Sequence, residues 1–209
     1  MTRIKICGFT READARAAGD LGVDAIGLVF WPSSPRCLPL ADAGRIVAAL
    51  PPFVTAVGVF VNQPLDEIEH TIKAVGLGAV QLHGDEPEDV WTRPSVPVLK
   101  AVGVDAAFDA RRLAAWPSRV VPLLDAAAPD RRGGTGRRID WAVAAAAAAV
   151  RPIVLAGGLT PETVGEAIAA VRPAAVDVSS GVEDAPGVKD ARKMAAFVAA
   201  VRQRDGQGR

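Results

Sequence analysis

The chain has 209 residues, half of them hydrophobic, and its 24 Lys and Arg residues balance 24 Asp and Glu residues. This length and composition predict a globular protein that buries one sizeable core. The balanced charge argues against binding of nucleic acid or of a membrane surface through the overall field of the protein. No apolar run reaches the roughly 18–20 residues of a membrane span.

The two cysteines, Cys7 and Cys37, predict a protein with reduced thiols. Their spacing matches no zinc-ligand pattern, and two cysteines make a poor disulfide framework. The first residues, MTRIKICG, contain no apolar secretion signal. We therefore expect a cytoplasmic protein.

Eight apolar runs rich in Val, Ile and Leu recur along the chain and predict β-strands. Most of them are nearly continuous in hydrophobicity, which is typical of parallel strands buried on both faces. They lie at residues 4–7, 25–30, 56–61, 79–83, 98–102, 120–125, 153–157 and 175–180.

The segments between these runs carry signals for the starts and ends of helices. Thr10 is placed to cap a helix through READARAAGDLG, and Gly22 is placed to end it. Asp85 and Glu88 have the spacing of a capping box, and TPE from Thr160 is typical of a helix start. These segments therefore predict helices between the strands.

Eight strand–helix units at intervals of roughly 20–30 residues predict an α/β fold, a (β/α)₈ or TIM barrel. No stretch has the composition of an interdomain linker. We expect a single domain over residues 1–202 and a frayed C-terminal tail at 203–209.

Three chemically capable residues end predicted strands, where the active site of such a barrel lies. Cys7, His83 and Asp125 end the first, fourth and sixth strands, and alternation places Lys5 on the face of Cys7. Each has an ordinary structural explanation: packing for the thiol, a satisfied hydrogen bond for the imidazole, and capping or ion pairing for the carboxylate. Together at one barrel mouth, they favour acid–base isomerisation.

The ends of the last two strands predict a phosphate site. LAGGLTPETV and DVSSGVED place glycines and serines just before predicted helices. Glycines let an anion approach the backbone, and phosphate sites after strands 7 and 8 are frequent in these barrels. The alternative is a pair of tight turns without a ligand.

Two long loops complete the predicted mouth. Residues 30–39, FWPSSPRCLP, are stiffened by prolines and contain Arg36. The loop at 126–138 contains four arginines around GGTG, and it is either a solvated basic loop or a lid over an anionic substrate. The arginines are Arg131, Arg132, Arg137 and Arg138.

The motifs taken in order resemble those of the phosphoribosylanthranilate isomerase family of tryptophan biosynthesis. They are KICGFTR, DAIGLVFWPSSPR, VGVFVNQP, VQLHGDE, LLDAAAP, GGTG, LAGGLTPETV and DVSSGVE, and they cover essentially the whole chain. The resemblance implies an Amadori rearrangement of N-(5′-phosphoribosyl)anthranilate to 1-(2-carboxyphenylamino)-1-deoxyribulose 5-phosphate, with no metal and no organic cofactor.

The resemblance also implies a role for each site residue. Cys7 is the implied general base and Asp125 the implied general acid, while Arg36 and His83 face the anthranilate group and Asp177 contacts the substrate. The implied phosphate-binding residues are Gly157, Gly158, Ser180 and Gly181. We expect Lys5 to increase the thiolate fraction of Cys7, and burial to raise the pKa of Asp125.

Three other functions stay open at this point. The related sugar isomerase of histidine biosynthesis acts on a substrate with two phosphates, but strands 3 and 4 lack a second glycine-rich turn. A Schiff-base aldolase could use Lys100, which lies inside the fifth strand. A third possibility is a barrel that only binds phosphoribosyl compounds. The expected ligand is a phosphorylated small molecule, and the chain is either a monomer or a homodimer.

Overall fold

The computed structural model describes residues 1–105, 107–126 and 139–207. Eight parallel strands follow one another around a closed barrel, and the last pairs with the first. The strands β1 to β8 are Arg3–Cys7, Ala25–Val29, Thr55–Phe60, Ala79–Leu82, Val98–Val104, Val120–Ala126, Val154–Leu155 and Ala175–Val178. The predicted TIM-barrel fold is confirmed.

Alternation along the strands divides the side chains between two environments. On β1, Ile4 and Ile6 are fully buried in the core between the strands and the helices. Lys5, between them, lies opposite Asp177 of β8 and points to the barrel interior, where the two side chains are paired. The interior of the barrel therefore carries polar groups on β1 and β8, and the apolar core surrounds it.

Six α-helices occur in the parts of the chain that the structure describes. These helices, α1 to α6, are Glu12–Asp20, Leu40–Ala48, Leu65–Val75, Trp141–Val150, Val164–Val171 and Ala191–Gln207. In the described residues after β4 and after β5, only short 3₁₀ helices form, at Glu88–Val90 and Ala110–Ala115. The expectation of a full helix in every unit is therefore wrong for these two.

The sequence explains the two short segments. Between β4 and β5, Pro87, Pro94 and Pro97 leave too few uninterrupted residues for a stable helix. After β5, the Asp105 side chain accepts a hydrogen bond from the Ala107 amide, a local bond that competes with helix formation. Asp109 caps the 3₁₀ helix that follows, and Pro117 lies two residues beyond the end of that helix at Ala115, where it prevents the helix from continuing.

The predicted helix caps differ from the observed ones. The Thr10 hydroxyl donates to the Gly187 carbonyl at 2.6 Å and does not cap α1, which begins at Glu12. No α-helix follows Asp85, so the predicted capping box does not form. The helix expected from Thr160 begins as a turn, and α5 itself starts at Val164. The polar residues expected at these helix starts instead form tertiary contacts or lie in turns.

The C-terminal helix is longer than expected. α6 continues to Gln207, whereas we predicted a frayed tail from residue 203. The Asp205 carboxylate accepts hydrogen bonds of 2.8 Å from the Thr2 amide and from the Thr2 hydroxyl. These bonds fix the last helical turns against the start of β1. Within the described ranges, no helix is long and apolar enough to cross a membrane.

Candidate active site

A cavity opens at the carboxyl ends of the strands, and its wall contains every site residue predicted from the sequence. These residues are Cys7, Arg36, His83, Asp125, Gly157, Gly158, Asp177, Ser180 and Gly181. They come from the ends of β1, β4, β6, β7 and β8 and from the loop after β2. Parallel strands in a closed barrel place these ends on one face.

Cys7 is the last residue of β1 and is partly accessible from the cavity. Burial raises the pKa of the Cys7 thiol, although the positive charges of Lys5 and Lys189 act in the opposite direction. The expected effect of Lys5 is present, since its charge and hydrogen bond lower the pKa of Cys7, but burial outweighs it. Cys7 is therefore a protonated thiol at neutral pH.

Beneath the thiol lies a buried ion pair. Lys5 Nζ is 3.0 Å from Asp177 Oδ1, and both side chains are less than a tenth exposed. Burial alone would lower the pKa of Lys5, but the Asp177 carboxylate and Cys7 raise it on balance. Lys5 is therefore a permanent cation under Cys7, and Asp177 is its counterion.

Asp125 lies near the end of β6, with its side chain 13% exposed. Burial raises its pKa to about 6, although Asp125 Oδ1 accepts a 2.8 Å hydrogen bond from the Ala126 amide. The carboxylate of Asp177 adds to the increase. As expected from the sequence, burial moves this carboxyl group toward the pH range in which it can donate a proton near neutrality.

His83 follows β4 and lies between two polar side chains. Gln81 Nε2 is 2.7 Å from His83 Nδ1, on one side of the ring. His83 Nε2 is 3.7 Å from Asp125 Oδ2, on the other side. The imidazole therefore connects a buried amide on β4 to the carboxyl group on β6.

A buried carboxylate, Glu86, fixes the loop that carries His83. It accepts hydrogen bonds from the amides of Asn62 and Gly84 and from Lys100 Nζ, at 2.9, 3.0 and 2.7 Å. Lys100 also donates to the Gly84 carbonyl. Lys100 does not line the cavity around Cys7, although it lines an adjoining cavity together with His83 and Asp125. Its ion pair with Glu86 favours the charged ammonium, which is not a nucleophile, and this argues against a Schiff-base aldolase.

Arg36 reaches the cavity from the loop after β2 and is held by Glu183. Arg36 Nε and Nη2 donate to the two oxygens of Glu183 at 2.8 and 2.6 Å. Lys189 Nζ donates to the same carboxylate at 2.7 Å and also to the Cys7 carbonyl. Burial would raise the pKa of Glu183, but Arg36 and Lys189 keep it below its ordinary value.

Glu183 and Lys189 lie on a small hairpin that the sequence analysis missed. Its strands, β9 and β10, are Glu183–Ala185 and Val188–Lys189. The Pro186-Gly187 dipeptide between them is a turn signal that could have revealed the hairpin. The hairpin brings two further charged side chains to the base of Arg36.

The turns after β7 and β8, where the sequence predicts a phosphate site, need glycine for steric reasons. Gly157 and Gly158 both have positive φ, +82° and +64°. At Gly181, a Cβ atom would overlap the Leu159 carbonyl oxygen. A side chain at these positions would be strained or would clash, so the cavity wall is bare backbone here.

Two features noted in the sequence are not part of the site described here, the loop at 126–138 and Cys37. The predicted lid at 126–138, with its four arginines, falls outside the described residues except for Ala126. Cys37 is partly buried but is not part of the cavity wall, and burial raises the pKa of its thiol. The two thiols of the chain therefore differ in position: Cys7 faces the cavity and Cys37 does not.

Comparison with known proteins places this chain in a family. The sequence model described as N-(5′-phosphoribosyl)anthranilate (PRA) isomerase matches residues 4–200. The N-(5′-phosphoribosyl)anthranilate isomerase of Acidithiobacillus ferrooxidans is 50% identical over 203 residues, which cover 97% of this chain and 98% of that protein.

Two solved structures have the same fold over 97% of this chain and the whole of theirs. One is a phosphoribosylanthranilate isomerase in complex with reduced 1-(o-carboxyphenylamino)-1-deoxyribulose 5-phosphate, 41% identical with a TM-score of 0.86. The other is a monomeric form of the dimeric enzyme of Thermotoga maritima, 40% identical with a TM-score of 0.86. The chain belongs to the N-(5′-phosphoribosyl)anthranilate isomerase family.

Proposed function

We propose that Cys7 and Asp125 are the general base and the general acid of N-(5′-phosphoribosyl)anthranilate isomerisation, the reaction for which the family is named. The observation that carries this proposal is the pair itself. A thiol on β1 and a carboxyl group on β6 face one cavity, and burial raises the pKa of that carboxyl group to about 6. A binding protein needs neither group.

The chemistry follows from the two positions. Asp125 donates its proton to the furanose ring oxygen while the C1′–O bond breaks and the nitrogen lone pair forms an imine. The Cys7 thiolate then takes the proton from C2′, and the electrons of that C–H bond form an enolamine. Tautomerisation of the enolamine gives the 1-deoxyribulose 5-phosphate, so the rearrangement is redox-neutral overall and needs no external oxidant.

Only a small fraction of the free protein has both groups in the protonation states that this mechanism needs. Asp125 must be protonated although its pKa is about 6, and Cys7 must be a thiolate although its pKa lies above the ordinary 9.0. At intermediate pH that combination is below about one molecule in a thousand, because each pKa difference of one unit costs a factor of ten. Lys5 and Lys189 stabilise the thiolate when it forms.

The substrate has two anionic groups, and the cavity has a place for each. Arg36 and His83 face the carboxylate of the anthranilate ring, and Asp177 contacts the sugar from β8. The 5′-phosphate lies on the turns at Gly157-Gly158 and Ser180-Gly181. The ligand bound to the 41% identical relative carries a carboxyphenyl group and a phosphate, which supports this arrangement.

The test is turnover of N-(5′-phosphoribosyl)anthranilate, followed by the loss of anthranilate fluorescence. The parent protein is compared with Cys7→Ser and Asp125→Asn, and each variant should lose at least about 10²-fold in kcat. Cys37→Ser is the matched control, since it removes the other thiol, which lies outside the cavity wall. An unimpaired Cys7→Ser variant would show that another group is the base.

We also propose that two copies of the chain associate and that the enzyme works in the cytoplasm, where its two free cysteines stay reduced. The dimeric Thermotoga maritima relative supports association. Phe53 is 95% exposed in the loop between α2 and β3, and we choose it as the position at which a polar substitution tests this association. Light scattering should give twice the chain mass for the parent and the single mass for Phe53→Ser. A monomeric parent contradicts the proposal.

A further inference from the structure

The amide of Gln81 is buried in the barrel wall and bonded to the imidazole of His83. Its side chain on β4 is 2% exposed and forms part of the cavity wall. Gln81 Nε2 lies 2.7 Å from His83 Nδ1. The nitrogen of a side-chain amide has two hydrogens, and its lone pair is delocalised into the carbonyl group, so it donates and does not accept. In this arrangement Nδ1 is the acceptor, and the neutral ring carries its proton on Nε2.

The protonated ring nitrogen faces the proposed general acid. His83 Nε2 is 3.7 Å from Asp125 Oδ2, and both side chains are only about one-seventh exposed, at 14% and 13%. This distance is longer than a hydrogen bond, but catalytic hydrogen bonds shorten when a ligand closes the site. The Nε2–H group is thus directed at an oxygen that becomes negative when Asp125 gives up its proton.

The opposite orientation of the amide would give the opposite tautomer. In the observed orientation, Gln81 Oε1 has no hydrogen-bond partner among the described residues. Turning the amide over would put this oxygen against Nδ1, and the neutral ring would then carry its proton there. The two orientations therefore predict different tautomers, which a measurement can separate.

We propose that Gln81 is a positioning residue that holds His83 as the Nε2–H tautomer, so that the imidazole donates to Asp125. The part of this proposal that concerns catalysis rests on the proposed role of Asp125 as the acid. A neutral donor stabilises the carboxylate formed after proton transfer. An imidazolium in the same place would add a full positive charge, lower the pKa of Asp125 and so reduce the fraction of molecules in which Asp125 is protonated near neutral pH.

The tautomer can be measured directly, because the chain contains only two histidines. His70 is an exposed residue of α3, so His70→Gln removes the second set of signals without touching the cavity. Two-bond ¹H–¹⁵N correlation spectra of the ligand-free protein near neutral pH should show a protonated Nε2 and a bare Nδ1 for His83. A protonated Nδ1 with a bare Nε2, or protons on both nitrogens, would overturn the proposal.

A variant tests whether Gln81 is responsible. Gln81→Met keeps the length of the side chain and removes the donor, so His83 should become a mixture of tautomers. kcat should fall by about tenfold to a hundredfold, the loss of one hydrogen bond to a forming charge. Gln203→Met on the exposed face of α6 is the matched control and should change neither readout. A single Nε2–H tautomer in Gln81→Met would refute the role of Gln81.

The two proposals fail separately in these experiments. If the parent protein does not turn over phosphoribosylanthranilate, the proposed function fails, and the spectrum of the parent still decides the tautomer. If Gln81→Met unfolds, the parent spectrum still decides the tautomer, and a tautomer other than Nε2–H overturns the positioning role of Gln81. If the tautomer is Nε2–H but Gln81→Met keeps full kcat, the positioning role in catalysis is refuted.

Discussion

The two halves of the barrel mouth surround their reactive groups in opposite ways. The half built by β8, β1 and the loop after β2 places charged residues around Cys7, joined by ion pairs of 2.6 to 3.0 Å. These residues are Lys5, Arg36, Asp177, Glu183 and Lys189. In the half built by β4 and β6, Asp125 has the 3.7 Å contact with His83 and a backbone hydrogen bond.

This difference shows how one cavity can prepare an acid and a base together. Around Asp125, burial acts with little opposition and raises the pKa to about 6, which makes the carboxyl group a usable acid. Around Cys7, the cations Lys5 and Lys189 oppose the effect of burial on the pKa and stabilise the thiolate when it forms. Loss of solvation therefore raises the pKa of the acid, whereas fixed positive charges stabilise the ionised form of the base.

Apart from loss of the proposed acid or base itself, the largest expected effect comes from removing the central charge of the Cys7 half. Glu183→Gln should raise KM by about tenfold to a hundredfold and leave kcat within about threefold, because Arg36 loses the carboxylate that orients it toward the substrate. Steady-state kinetics with phosphoribosylanthranilate gives both constants. Inhibition by inorganic phosphate should stay unchanged, since the phosphate turns are untouched.

Asp109→Asn is the matched control for this variant. It also removes a carboxylate that accepts two hydrogen bonds from one arginine, Arg111, but that pair is exposed on the surface. Exposed pairs contribute little, so its KM should equal that of the parent. A Glu183→Gln enzyme with unchanged KM and reduced kcat would contradict the role of Glu183 in holding Arg36.

The next effect concerns stability in the Asp125 half. The folded pKa of about 6 exceeds the ordinary 3.8, so the folded protein loses stability as pH rises between these values. The full penalty above pH 6 is at most about 3 kcal/mol. Asp125→Asn should therefore increase the free energy of unfolding by about 2 kcal/mol at pH 7. It should give almost no gain at pH 4. Urea titrations at the two pH values measure this, and an equal gain at both would exclude ionisation as the cause.

The smallest effect is the pH dependence of the parent enzyme, which depends on both halves. Below about pH 6, Asp125 is protonated and the thiolate fraction of Cys7 rises about tenfold per pH unit, so kcat/KM should rise with it. Between pH 6 and the raised pKa of Cys7, above 9.0, the loss of the acid cancels the gain in thiolate and kcat/KM should stay level.

Competitive inhibition by inorganic phosphate, measured over the same pH range, separates the ionisation of the phosphate group from that of the enzyme. The level region is the informative part of the profile. A sharp maximum near pH 7 in place of it would mean that the two pKa values lie close together. The contrast between the two halves would then be much smaller than the ligand-free structure indicates.

The sequence was sufficient to predict the barrel and the residues around its mouth. Apolar runs identify the eight strands because parallel strands are buried on both faces, and the end of each strand then maps to one surface. Cys7, His83 and Asp125 follow directly from that rule. The helix caps predicted at Thr10 and Asp85 do not form. Thr10 makes a tertiary hydrogen bond instead, and the prolines after Asp85 prevent an α-helix there.

The pairing of charges could not be predicted from the sequence. Glu183 and Arg36 are 147 residues apart, and Lys5 and Asp177 are 172 apart. Only closure of the barrel brings them together. The direction of the pKa shift of Cys7 could not be predicted from its sequence neighbours either. The nearby Lys5 predicts a lower pKa, whereas burial produces a higher one.

The buried carboxylate of Glu86 has a consequence for the timescale on which the site can open. It bonds the amides of Asn62 and Gly84 and is itself held by Lys100 on β5. Hydrogen exchange at these two amides requires their bonds to the Glu86 carboxylate to break, and Lys100 ties that carboxylate to the barrel wall. The His83 amide lies beyond the end of β4 but donates to the Phe60 carbonyl of β3 at 2.8 Å, so we expect it to exchange with the barrel wall as well.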